Sequence, residues 1–146
     1  MHYIICPKFF MNVIRGRRRR GMLLQMLKGK IHRARITHCD IDYEGSLEID
    51  TDILRAAAIR PYEKILVVNA TNGNRLETYA IPGEAGSRIF RLNGAAAHLG
   101  RVGDIVTIMC FAQFTEAEAG SHLPDIVVMD ENNRIAVRRK GKDPAR

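Results

Sequence analysis

The dipeptide Gly45-Ser46 could carry out chemistry on its own backbone. The Ser46 hydroxyl can attack the preceding carbonyl carbon and convert the Gly45-Ser46 amide into an ester. Glycine in front of the serine has no Cβ and tolerates the strained backbone that this attack requires. Elimination from that ester and loss of ammonia would leave a new chain that begins with a pyruvoyl group, a ketone able to act as an electron sink. A Gly-Ser dipeptide alone is more often an ordinary turn, so its surroundings must decide.

The surroundings consist of short motifs that follow one another along most of the chain. They are Met26-Leu-Lys-Gly-Lys-Ile-His-Arg-Ala-Arg-Ile-Thr-His38, Asp42-Tyr-Glu-Gly-Ser46, Asn69-Ala-Thr-Asn-Gly-Asn-Arg75, Glu77-Thr-Tyr-Ala80, Gly86-Ser-Arg, Leu92-Asn-Gly-Ala-Ala-Ala-His98 and Val102-Gly-Asp-Ile-Val106. With these motifs in this order, the chain from Met22 to about residue 130 resembles the pyruvoyl-dependent aspartate 1-decarboxylase family.

The resemblance implies a proenzyme that cuts itself between Gly45 and Ser46. Residues 1–45 would form a β chain and residues 46–146 an α chain. The mature protein would convert L-aspartate into β-alanine and carbon dioxide for pantothenate and coenzyme A synthesis, with the substrate held as a Schiff base on the pyruvoyl group made from Ser46. The family also implies a cytoplasmic homotetramer with sites between subunits, and a maturation factor is conceivable.

Site residues follow from the resemblance position by position. Tyr79 would return a proton to the carbanion left by decarboxylation, because a phenol is a weak acid suited to a strong base in a dry pocket. Thr78 would assist cleavage and contact the substrate. Because neighbouring side chains of a strand point to opposite faces, a twist or bulge is expected if both act at one site. The substrate-lining turn is expected to contain Asn93, Gly94, Ala95 and Ala96.

Two cations are expected to bind the substrate carboxylates. Arg75 follows the Asn-Gly turn, and its guanidinium suits bidentate binding of a carboxylate. Lys30 is the second cation, and which carboxylate each would bind stays open. His32 lies two residues beyond Lys30, hence on the same face of a strand, and could support cleavage or could simply pack. Tyr43 is expected to help position the scissile bond.

Charge is concentrated at the two ends of the chain. The net charge is +7, and residues 1–21 contain six basic residues and no acidic one. This stretch could be a nucleic-acid or membrane arm, but we expect a disordered leader or a translation start at Met22. Its apolar part precedes the arginines, which is unlike a signal peptide. Residues 22–146 are expected to form one decarboxylase domain.

The remaining composition narrows the class of protein. Three widely spaced cysteines without a Cys-x-x-Cys pair are typical of reduced thiols in a cytosolic protein. No apolar run approaches the ~18–20 residues of a membrane span, and no grouping has metal-ligand spacing, so neither a membrane nor a metal is expected, and pyridoxal phosphate is not expected either.

Many short β-rich segments separated by turns must position these residues. The pattern predicts strands over residues 24–37 (with a possible bulge at Gly29), 47–49, 64–69, 75–81, 88–92 and 105–111, two weaker strands around residues 130–133, and a helix over residues 52–59. This mainly β pattern favours a small closed barrel, and the family implies a six-stranded double-psi β-barrel with short helices.

Two other functions remain open. A non-catalytic barrel could bind nucleic acid through its basic ends, although this gives no reason for Arg75, Thr78, Tyr79 and Asn93 to accompany Gly45-Ser46, so nucleic acid is an unlikely partner. Alternatively, the chain could be a pyruvoyl-dependent decarboxylase for another amino acid.

Overall fold

The computed structural model describes residues 21–142 of the chain. The expectation for the basic leader concerns residues outside this range, since residues 1–20 are not described. The described part contains nine strands, two short α-helices and one 3-10 helix. The strands are β1 (Leu23–Arg35), β2 (His38–Asp40), β3 (Ser46–Asp50), β4 (Lys64–Asn69), β5 (Arg75–Gly83), β6 (Phe90–Asn93), β7 (Ile105–Thr115), β8 (Asp125–Met129) and β9 (Ile135–Lys140).

The helices are short and lie between strands. Helix α1 spans Thr51–Ala56, the 3-10 helix spans Gly94–Leu99, and α2 spans Glu116–Ala119. Asp50 caps α1 by accepting from the Asp52 backbone N–H, and Thr115 with Glu118 forms a reciprocal capping box at α2. Within the described residues, none of these helices has the length and apolarity that a membrane crossing requires.

The strands form one hydrogen-bonded order, β2-β6-β3-β5-β4-β7-β1-β8-β9. Parallel pairs (β2 with β6, β3 with β5, β1 with β8) are mixed with antiparallel ones. The mainly β prediction is therefore confirmed. The described part has nine strands where six were expected, and their pairing runs from one end strand to another without closing, so a closed double-psi barrel stays a prediction.

The core lies between the faces of this curved sheet and under α1. Alternation in β4 buries Ile65 and Val67 and turns their neighbours outward, as period-2 patterning requires. The largest fully buried side chains are Phe90, Ile31, Ile36, Leu47, Ile49, Leu54, Ile65, Leu92, Ile108, Val67, Val106 and Val127.

Most predicted elements are confirmed, and the differences have local causes. The register of β1 against β7 shifts between Leu27 and Gly29, where a Cβ on Gly29 would lie 2.1 Å from the Ala57 carbonyl oxygen. The helix predicted over residues 52–59 ends at Ala56, because Ala58 turns to a φ of 54°. Strand β6 begins only at Phe90, since Arg88 has a φ of 58°. In the Asn72-Gly73 turn, only Gly73 has a positive φ.

Candidate active site

Ser46 is the first residue of β3, which lies between β5 and β6. Ser46 is paired with Asn93 of antiparallel β6, and the next residue, Leu47, is paired with Ala80 of parallel β5. Extending the parallel register back by one residue brings Ser46 alongside Tyr79. The topology thus brings two distant segments, from β5 and β6, to the Gly45-Ser46 bond.

The backbone and side chain of Ser46 are both unusual. Its φ is 143°, a conformation that residues with a Cβ rarely adopt. The residue is only 1% exposed, and its Oγ has no hydrogen-bond partner in the described structure. Buried hydroxyls nearly always find a partner, and strained residues cluster at functional sites. Both features therefore make Ser46 the candidate reactive residue of this site.

The Asn93 side chain is also buried without a hydrogen-bond partner in the described structure. It is fully buried, and neither its Nδ2 nor its Oδ1 has a hydrogen-bond partner among residues 21–142. Asn93 occupies the N-cap position of the 3-10 helix, where an asparagine side chain commonly caps, yet it makes no capping hydrogen bond. A free amide donor and acceptor are therefore held opposite Ser46.

Gly94 lies against the Gly45 backbone. It has a φ of 54°, and a Cβ at this position would be 2.9 Å from the Gly45 Cα and 3.1 Å from the Tyr43 carbonyl oxygen. No residue with a side chain fits there without moving one of the two segments. The turn that begins at Gly94 thus packs directly on the segment ahead of Ser46.

Two cavities open at Gly45-Ser46. The larger one has a volume of about 830 Å³, and the smaller one about 400 Å³. Both are lined by Gly45, Ser46, Glu77, Thr78 and Tyr79. Tyr43 contributes to the larger cavity, and Ala95 and Ala96 to the smaller one.

Thr78 and Tyr79 both border these cavities although they are neighbours on one strand. The bulge considered for this strand is absent, since β5 pairs with β4 in continuous register from Arg75 to Tyr79. Pairing of β5 with β3 starts only at Ala80, so one edge of β5 is open at Thr78 and Tyr79. The open edge gives both residues access to the same space.

Lys30, His32 and Arg75 lie apart from these two cavities. Lys30 and His32 belong to β1, which β5, β4 and β7 separate from β3 in the strand order, and Arg75 is the exposed first residue of β5. None of the three is among the residues that line either cavity. In a single copy of the chain, the residues expected to act in cleavage therefore line the cavities, whereas the expected cations do not.

His32 has a perturbed environment nonetheless. Its Nδ1 lies 3.1 Å from Thr107 Oγ1. Burial lowers the pKa of His32, and the positive charges of Lys30, Arg33 and Arg139 lower it further.

Three cavity residues were missed by the sequence reasoning. Lys64 and Glu77 line the larger cavity and form an ion pair with 2.7 Å between Nζ and Oε2. Tyr62 lines it as well, is 72% exposed and has a φ of 67°. The usable signal was the alternation of β5, which puts Glu77 on the same strand face as Tyr79.

A second polar cluster lies elsewhere, formed by Lys28, Glu63 and Cys110. Lys28 Nζ donates to both carboxylate oxygens of Glu63, and the Arg60 backbone N–H donates to Glu63 Oε2. Burial alone would raise the pKa of Glu63, but the hydrogen bonds from Arg60 and Lys28 lower it. Burial and the neighbouring Glu63 carboxylate raise the pKa of Cys110 to about 12, which keeps this thiol protonated.

A metal site is not evident in this part of the chain. Among residues 21–142, no three His, Cys, Asp or Glu side chains are grouped so that they could hold a metal ion.

Comparison with known proteins points to one family. Residues 22–136 match the family model described as aspartate decarboxylase. Similar curated proteins are named aspartate 1-decarboxylase. The protein from Desulfotalea psychrophila is 53% identical over 114 residues, which are 78% of this chain and 96% of that protein. The Ruminiclostridium cellulolyticum protein is 54% identical over 114 residues (78% and 89%), and the Listeria monocytogenes protein is 52% identical over 114 residues (78% and 90%).

Proposed function

This chain belongs to the aspartate decarboxylase family, whose members are carboxy-lyases, and from this premise we propose a specific reaction for it. The chain cleaves itself between Gly45 and Ser46 and then converts L-aspartate into β-alanine and carbon dioxide with a pyruvoyl group derived from Ser46. The observation that carries this proposal is the buried, strained Ser46 whose hydroxyl has no hydrogen-bond partner in the described structure. Such a hydroxyl is free to act as a nucleophile.

Cleavage starts with attack of Ser46 Oγ on the Gly45 carbonyl carbon. The C–N bond breaks as the C–O bond forms, so that the amide becomes an ester and the Ser46 nitrogen becomes an amine. Removal of the Ser46 Cα proton then breaks the Cβ–Oγ bond and releases residues 1–45 with a Gly45 carboxylate. Water adds to the remaining dehydroalanine, ammonia leaves, and residues 46–146 begin with a ketone. One water is consumed and one ammonia released.

The residues around the bond support the first step. Strain at Ser46 is relieved when the peptide bond is lost, which favours the ester. The free Asn93 amide is available to donate to an oxygen that becomes negative during attack, an effect of the oxyanion-hole type. Gly94 allows its turn to press on Gly45, and Thr78 borders the cavity with a hydroxyl that can assist proton transfer.

The space beside Ser46 fits the group that cleavage would create. Tyr79 lines both cavities, and the small side chains of Ala95 and Ala96 line the smaller one. When present, the pyruvoyl group supplies a ketone that captures the substrate amine and withdraws electrons from it. Tyr79 then donates its phenolic proton to the carbon that has lost carbon dioxide.

The expected cations suggest that the complete site needs more than one copy of the chain. Arg75 and Lys30 carry the charges suited to the two carboxylates of aspartate, but they lie outside both cavities of the single copy. A homotetramer in which neighbours supply these residues, built from double-psi barrels, accounts for their position. The mixed parallel and antiparallel pairing of the strands is compatible with such a barrel.

The experiment that tests the proposal follows conversion of L-aspartate into β-alanine by the purified full chain. Wild-type protein should convert aspartate, whereas Ser46→Ala should neither cleave nor convert it. Ser121→Ala, which changes an exposed serine of a turn, should behave as wild type. Wild-type activity retained by Ser46→Ala would refute the proposal, and conversion of glutamate in preference to aspartate would reassign the substrate.

A further inference from the structure

We propose that the Lys64–Glu77 ion pair strengthens the binding of a substrate with two carboxylates at the Ser46 cavity. Lys64 neutralises the Glu77 carboxylate, and this neutralisation lets a substrate with two carboxylates enter. The inference rests on the proposed function, because it concerns the cavity at which that reaction would occur. Lys64 is not one of the two cations, Arg75 and Lys30, that the family resemblance implies. Glu77 is not among the implied site residues either.

The pair stands directly beside the proposed proton donor. Lys64 is the first residue of β4 and is the cross-strand partner of Tyr79 on β5. Glu77 lies two residues before Tyr79, so both side chains leave the same face of the strand. Lys64 Nζ reaches Glu77 Oε2 at 2.7 Å, and the two residues, with Tyr79 and Ser46, line the same cavity.

The balance of charge in this cavity explains why the pair matters. Its charged lining residues are Glu44, Lys64 and Glu77. Aspartate at neutral pH carries two carboxylates and one ammonium, and its net charge is therefore negative. Without Lys64, two glutamates would face this substrate and repel it, since a cleft of one sign excludes ligands of the same sign. With Lys64 in place, Glu77 is compensated before the substrate arrives.

The size of the effect is limited by solvent. The side chains of Lys64 and Glu77 are 71% and 63% exposed, so water and salt screen their charges strongly. Loss of Lys64 should therefore raise the KM for aspartate about twofold to fivefold, in the range typical of exposed charge pairs. The rate constant kcat should change little, because the pair acts on substrate entry and not on the bonds that break.

A cycle of substitutions tests the proposal in the processed full-length enzyme. Lys64→Gln, Glu77→Gln and the double variant are compared with wild type, and kcat is normalised to the fraction of cleaved chain measured by mass. Lys64→Gln should raise KM, the double variant should restore it, and Lys64→Arg should keep the wild-type value. The rise should shrink at high ionic strength, which a loss of structure would not cause.

Lys140→Gln provides the matched control. Lys140 Nζ also lies 2.7 Å from a carboxylate oxygen, that of Asp125, but on β8 and β9 and not among the residues that line this cavity. Its removal should leave KM unchanged. An unchanged KM in Lys64→Gln, or a raised KM that Glu77→Gln does not reverse, would overturn the inference. Failure of the proposed function is separate, because it would appear as absent cleavage or absent decarboxylation in the wild type itself.

Discussion

Two polar regions of this molecule differ in whether their buried groups have hydrogen-bond partners. Around Ser46, a strained serine and the Asn93 amide are buried with no hydrogen-bond partner in the described structure. In the Lys28, Glu63 and Cys110 cluster, each group has a partner, and the thiol is held protonated. An unsatisfied buried group costs roughly 1–3 kcal/mol, whereas a paired group contributes to stability.

Under the proposed function, the difference separates a region kept for chemistry from a region kept for stability. Polar groups that cost stability tend to persist at functional sites, and the proposal places Ser46 and Asn93 at such a site. The Lys28 cluster includes Cys110, the buried thiol among residues 21–142, yet a pKa of about 12 leaves almost no thiolate at neutral pH. The proposal therefore attributes reactivity to the missing hydrogen-bond partners and not to the presence of a nucleophilic atom.

Replacement of Asn93 should separate stability from cleavage most clearly. Leucine has a similar volume and no polar atoms, so Asn93→Leu should keep or raise the free energy of unfolding, by up to about 2 kcal/mol. Cleavage should slow by about 10²-fold, because the amide donor beside the scissile bond is lost. Cleavage kinetics by mass spectrometry and denaturant unfolding measure the two effects.

Asn69 offers the control for that substitution. It is also buried, but its Oδ1 accepts from Thr71 and Asn72 and its Nδ2 donates to Asp104. Asn69→Leu should therefore destabilise the fold by about 1–3 kcal/mol, since its partners lose their hydrogen bonds. Equal destabilisation by both variants would remove the distinction between the two kinds of buried amide.

Gly94→Ala should have the next largest effect. The added Cβ would meet Gly45 Cα at 2.9 Å, so the scissile segment must shift, and cleavage should slow by about tenfold. Gly73→Ala is the control, because Gly73 also has a positive φ but nothing lies within 4 Å of its Cβ position. Both variants should lose about 1 kcal/mol from backbone strain. Slow cleavage in both would mean that contact with Gly45 is not the cause.

Glu63→Gln should leave cleavage unchanged and affect stability alone. Loss of the charged partner of Lys28 should cost about 1–2 kcal/mol. Because the folded pKa of Glu63 is lowered, its contribution is present above pH 4.5, its ordinary value, and is lost as the pH falls through the folded pKa. The urea midpoint of the wild type should therefore fall between neutral and acidic pH. The midpoint of Glu63→Gln should lack the part of this fall that comes from Glu63. Slower cleavage in the variant would show that the cluster does reach the Ser46 site.

The sequence was sufficient to predict features that depend on local patterning. A segment rich in β-branched residues predicted β4, and Gly29 marked the irregularity of β1. Where a predicted element boundary was wrong, a residue with a positive φ determined the observed boundary. The end of α1 depends on the positive φ of Ala58, which no propensity indicates.

The site was predictable only as far as motifs named its residues. The pairing of Ser46 with Asn93, the strain at Ser46 and the absence of partners depend on contacts between segments that are distant in sequence. The same holds for the Lys64–Glu77 pair and for the short strand β2, whose three residues pair with β6. The alternation of residues in the sequence predicts which face of a strand a side chain occupies. The pairing register of distant strands determines which residues that side chain contacts.

The most direct test of self-cleavage is an intact mass spectrum of the purified wild-type protein under denaturing conditions. The account predicts two fragments that separate after Gly45, with the larger fragment lighter by one ammonia than a chain that begins with serine. A single uncut chain that still converts aspartate into β-alanine would contradict the central claim. So would a larger fragment that retains an amino-terminal serine.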